Sequence, residues 1–209
     1  MRSKGGFTMS TWFNSIMDGL KIYFLYAAPI SFSIMVIIMI ASKKINLVEL
    51  VIKQLFVMYL CCVVELVFFP LPTMEEASQL SIQYQLIPLH FFADFMDDSF
   101  IRVSCQVIFN VVMMVPLGMF LEYCLGLDIR KALLISFAFT AFIEIGQLTG
   151  LFFMFKGSYR LFDVDDLMLN MLGALIGYFG IRRAESRLVP AITSFDRFFG
   201  KDSVLEYHM

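Results

Sequence analysis

The chain has 209 residues, of which 59% are apolar and 16% charged, and a net charge of -2. With a mean hydropathy of +0.78, that composition excludes an ordinary soluble domain and indicates an integral membrane protein. The charge balance gives no reason to expect a nucleic-acid partner, and Cys61, Cys62, Cys105 and Cys124 lack the spacing of a zinc site or a disulfide framework.

A helix needs about 20 mostly apolar residues to cross the hydrocarbon core of a bilayer. Runs of that kind lie near 22–41, 50–69, 106–125, 133–153 and 165–181. The expected fold class is therefore all-α, a polytopic transmembrane bundle of about five spans forming one domain over 1–209. The first run follows Arg2, Lys4 and Lys21, as a signal peptide would, but its apolar part is too long and no AxA-like cleavage site follows. It is expected to remain as an anchor. No internal repeat or low-complexity linker divides the chain.

Cytoplasmic loops carry the excess of lysine and arginine. Lys43 and Lys44, Arg130 and Lys131, and Arg182, Arg183 and Arg187 mark three cytoplasmic segments, which places the C-terminus in the cytoplasm of a multi-pass cell-membrane protein. The N-terminus, the 70–104 loop and the 156–163 turn then face outside. Glu75, Glu76, Asp94, Asp97 and Asp98 against a single Arg102 fit an outer loop, whereas the basic N-terminus does not fit this arrangement.

Several spans carry polar residues. Asn110 lies near the outer end of the third span, Glu144 and Gln147 in the outer half of the fourth, and Asn170 just inside the fifth. At about 1.5 Å rise per residue, all lie roughly 5 to 15 Å from the outer boundary. The acid-rich stretch RLFDVDDLMLNMLGALIG, from Arg160 to Gly177, leads into the fifth span. Acids are costly there unless a cap, an arginine, a metal or a ligand compensates them. Residues three or four apart share a helix face, which groups Thr140, Glu144 and Gln147 on one helix and Asp163, Asp166, Asn170, Gly173 and Gly177 on another. The glycine pair allows close approach of a neighbouring backbone, and a kink at Pro116 is expected to open a cavity facing outside.

Each feature has a plainer alternative. Asp163 and Asp166 have the spacing of a helix N-cap and its third residue, which leaves Asp165 pointing elsewhere. The glycine pair and Pro116 also suit ordinary packing, and His90 has no second histidine or cysteine beside it. Glu65 either snorkels to the interface or joins the cluster. Glu144, flanked by Phe142, Ile143 and Ile145, has no cap to serve and points to function or a buried polar network.

The segments NVVMMVPLG from Asn110 to Gly118, EIGQ from Glu144 to Gln147, and RLFDVDDLMLNMLGALIGY from Arg160 to Tyr178 occur in the order and spacing of VanZ-like membrane proteins, and the chain resembles that family over about 80–182. QLIPL, from Gln85 to Leu89, departs from the family's asparagine-leucine-isoleucine-proline-phenylalanine motif at Gln85 and Leu89. The resemblance implies a bacterial polytopic membrane protein whose relatives lower susceptibility to teicoplanin and related lipoglycopeptides.

Two functions stay open. In the first, an outward polar site of Asn110, Glu144, Gln147, Arg160, Asp163, Asp165, Asp166 and Asn170 binds or shields a glycopeptide antibiotic or a cell-wall precursor amid membrane lipids, Arg160 pairing with anionic groups. In the second, the carboxylates serve an intramembrane enzyme acting on a lipid-linked sugar or phosphate, as a general base or through magnesium or calcium. No GxSxG, HExxH or P-loop is present to support the second. No cofactor or resident metal is assigned. A transporter or channel has less support, because Met171, Leu172, Gly173, Ala174 and Leu175 follow Asn170 without polar residues.

Overall fold

The computed structural model describes residues 9–42, 47–97, 99–158 and 160–198. Arg2, Lys4, Lys43, Lys44 and Asp98 lie outside the described residues, and of Asp97 and Arg187 only the backbone is described.

The described chain is helical, as its apolar runs require. It begins with α1 (Met9–Ile22), a π-helical segment (Tyr23–Ala27) and α2 (Ala28–Ser42), which continue one another without a break. They are followed by α3 (Leu47–Phe68), the short α4 (Met74–Ser78) and α5 (Phe91–Asp97), then α6 (Phe100–Tyr123), α7 (Ile129–Leu148) and α8 (Val164–Phe198). Five segments are long and apolar enough to cross a membrane: Trp12–Ile38, Leu50–Phe68, Phe100–Tyr123, Ile129–Leu148 and Val164–Ala184. Phe24, Ile37, Ile108, Leu134 and Phe137 are exposed on these spans, as lipid-facing side chains would be.

Two boundaries differ from the expected ones. The first apolar helix starts at Trp12 rather than near residue 22. Asp18 and Lys21 form an i,i+3 ion pair at 2.7 Å, so their charges do not interrupt the helix. The fourth span ends at Leu148 rather than near residue 153. Beyond it Gly150, Leu151, Phe152 and Phe153 all have positive φ, giving a single turn wound left-handed. L residues resist that conformation by about 1 to 2 kcal/mol each. The Thr149 hydroxyl accepts from Phe152 N at 3.2 Å, and Phe155 N donates to Gly150 O at 2.9 Å, which closes the turn.

Helices α6 and α8 run parallel and form the centre of the bundle. A Cβ at Gly173 would lie 2.0 Å from the Val111 carbonyl oxygen, one at Gly177 2.0 Å from that of Val115, and one at Gly118 1.9 Å from that of Ala174. Only glycine permits this approach, so the expected close packing is present. Met114, Leu117 and Leu121 of α6, Ile143 of α7, and Ala174 and Tyr178 of α8 join Val63, Leu66 and Val67 of α3 in the core. The N-terminal helix lies against α3, where Gly19 fits over the Cys62 backbone.

The ends of α3 and α7 and the starts of α5, α6 and α8 share one end of the bundle. There β1 (Tyr84–Gln85) pairs in parallel with β2 (Phe162–Asp163), joining the long loop to the acid-rich turn. Pro116 lies within an uninterrupted α6, beside an apolar cavity of about 430 Å³ lined by residues such as Ile52, Phe56, Tyr123 and Ile181. The cavity therefore lies toward the end opposite the acids rather than on their side of Pro116. Ile52 near the start of α3 and Tyr123 at the end of α6 both belong to that opposite end.

Candidate functional site

The local sequence sets the entry to α8. Asp163 precedes the first helical residue, and its Oδ1 accepts from Asp165 N at 2.9 Å, a cap for one of the free amides of the first turn. Its own backbone N–H donates to Glu144 Oε2 of α7 at 3.3 Å. Burial pushes the Asp163 carboxyl above the usual carboxylate range.

The two neighbouring acids diverge, as helical spacing requires. Asp165 turns to the long loop, its Oδ1 accepting from Leu89 N at 2.5 Å and its Oδ2 from Phe91 N at 2.9 Å. One carboxylate thus clamps the residues around Leu89, which has φ 63°, and the start of α5. Asp166 faces α6, where Asn110 Nδ2 donates to its Oδ1 and Gln106, one turn away, also reaches it. Asp166 therefore takes no part in a capping box; that reading holds for Asp163 alone.

Asn170, one turn below Asp166, donates from Nδ2 to Thr140 Oγ1 of α7 at 2.8 Å. Thr140, Glu144 and Asn170 are all at most 2% exposed, so the seam is closed off by packing between α7 and α8, whereas Asp166 and Asn110 on its α6 side are partly buried.

Arg160 and Gln147 act on a third helix. Arg160 Nη1 donates to Leu66 O at 3.0 Å and Nη2 to Phe69 O at 2.7 Å, while Gln147 Nε2 donates to Val67 O at 2.9 Å. These are carbonyls at the end of α3 that its own hydrogen bonds leave open. Two Arg160 donors are thus engaged by protein carbonyls, and the guanidinium also lies within electrostatic range of Glu144.

All eight sequence-predicted residues gather at one end of the bundle, but in three groups. Glu144, Asp163, Asp166, Asn110 and Asn170 form the seam between α6, α7 and α8; Asp165 holds the loop; Arg160 and Gln147 hold α3. Glu65 is buried on the α1 side, with Asp18 as its electrostatic neighbour. His90 Nδ1 lies 3.5 Å from Asp94 Oδ2.

Two participants were not singled out from sequence. Gln106 is four residues before Asn110, so the same i,i+4 rule would have found it. Ser158 accepts from Gln83 N at 3.1 Å and donates to Leu148 O at 2.8 Å, and a single loop serine gives no such signal. Among the described residues, no group of three His, Cys, Asp or Glu side chains is arranged to hold a metal.

The acid-rich turn, the Asn110 helix and the Glu144 helix all fall inside residues 56–185, which match the VanZ/LLP1 family model. The chain belongs to the VanZ/LLP1 family. The matched region starts in α3 and includes every residue of the three groups, so the cluster lies in the family's common core rather than in the N-terminal helix. No curated protein and no solved structure matches this VanZ/LLP1 protein.

Proposed function

We propose that this VanZ/LLP1 protein lowers susceptibility to teicoplanin or related lipoglycopeptides, or maintains the cell envelope, by engaging an amphiphilic surface ligand at the acid-rich end of its bundle. That end faces outside and the C-terminus faces the cytoplasm. The observation that carries this reading is the seam of buried Glu144, Asp163 and Asn170 with partly buried Asp166 and Asn110, beside exposed apolar side chains. Phe92 and Met96 of α5, Phe100 of α6, Phe153 at the end of the left-handed turn and Met154 after it are all exposed at this end. Amines or sugar hydroxyls would meet the partly buried edge of the seam at Asp166 and Asn110, while a lipid tail would meet the apolar rim.

The test is expression in a susceptible bacterium with teicoplanin and vancomycin in parallel. Protection selective for the lipid-tailed drug, lost in Glu144→Ala and Asp166→Ala at unchanged expression, is the expected result. Full protection in both variants refutes the assignment.

A further inference from the structure

The seam between α7 and α8 gathers oxygens from two matching helix faces. Thr140 and Glu144 are one turn apart on α7, Asp166 and Asn170 one turn apart on α8, and the Asn170–Thr140 hydrogen bond at 2.8 Å joins them. Asn170 is 2% exposed, yet its Oδ1 is buried without a hydrogen-bond partner. The loss of hydration at such an oxygen costs about 1 to 3 kcal/mol.

Charge is also out of balance. Glu144 and Asp166 are close enough to repel each other. The guanidinium within range of Glu144 is Arg160, which has two donors on α3 carbonyls. Amide donors from Asp163 N and Asn110 disperse the charge without cancelling it. A water molecule would satisfy Asn170 Oδ1 but leave the repulsion between the two carboxylates, whereas a cation answers both.

We propose that this seam binds a hard divalent cation, calcium or magnesium, through Glu144, Asp166, Asn170 and Thr140. Two carboxylates with neutral amide and hydroxyl oxygens, and no sulfur or imidazole, form the donor set that hard cations take. The ion would tie α7 to α8 at the level where α8 also meets α6. The proposal concerns the residues of the proposed function, but its test uses no drug, so failure of one leaves the other standing.

Full-length protein in lipid nanodiscs is equilibrated with radiolabelled calcium at fixed ionic strength, with magnesium, sodium and choline chlorides as competitors. Saturable binding of about one ion per chain, displaced by magnesium but not by choline, is expected. Affinity should fall at least about tenfold in Glu144→Gln and in Asn170→Leu and stay unchanged in Glu76→Ala, a site on exposed α4. No saturable binding of calcium or magnesium, binding of sodium alone, or unchanged affinity in both seam variants overturns the proposal. Should a seam variant fail to fold, wild type decides the matter: chelator treatment should lower its Tm and calcium restore it, and an unaltered Tm counts against the ion.

Discussion

Gly173→Ala isolates the contact between α6 and α8. The new Cβ would stand 2.0 Å from the Val111 carbonyl oxygen, and a separation of about 1.4 Å restores ordinary contact at 3.4 Å. The obstacle is helix backbone, which cannot swing aside as a side chain can. Overpacking of this kind costs about 1 to 3 kcal/mol, and the upper end applies here. Alanine returns up to about 1 kcal/mol in helix propensity, leaving a net loss of about 2 kcal/mol. For a chain of this size that lowers Tm by roughly 4 to 8 °C. Gly180→Ala supplies the control, since it lies on the same helix with nothing within 4 Å of the added Cβ. Thermal unfolding of the purified proteins, followed by exposure of their cysteines, compares the two. Equal stability of Gly173→Ala and Gly180→Ala would refute the close-contact argument.

Two further outcomes test the ends of the helices. Asp165→Ala removes the acceptor for Leu89 N and Phe91 N, so amide exchange across 87–92 should accelerate by at least about tenfold, the equivalent of one lost charged hydrogen bond; unchanged protection would show that the loop is held by other means. Asp128, whose Oδ1 accepts from Arg130 N and Lys131 N at the start of α7, is held below the usual carboxylate range chiefly by the Lys131 amide. Its contribution is present above the unfolded value of about 3.9 and lost as pH falls through the lowered folded value. Protection of the Arg130 and Lys131 amides should therefore decline on acidification in wild type but not in Asp128→Ala, and parallel profiles would contradict the cap.

The sequence by itself determined the number of spans, the shared faces of Thr140 with Glu144 and of Asp166 with Asn170, the close-packing role of Gly173 and Gly177, and the separate direction of Asp165. These follow from apolar run length and from helical periodicity, which are local properties. It also placed the polar residues of three helices at one level.

Partners were decided only by tertiary structure. Arg160 finds carbonyls 94 and 91 residues away, and Asp165 finds amides 76 and 74 residues away. Nothing in the sequence of Arg160 distinguishes a ligand-facing guanidinium from one that closes the end of α3, because both are arginines beside acids at a helix boundary. The end of α7 at Leu148 was likewise hidden, since Leu151, Phe152 and Phe153 continue the apolar run that defines a span while their backbone reverses hand. Periodicity tells which face a residue takes; the packing of α3, α6, α7 and α8 decides what that face meets.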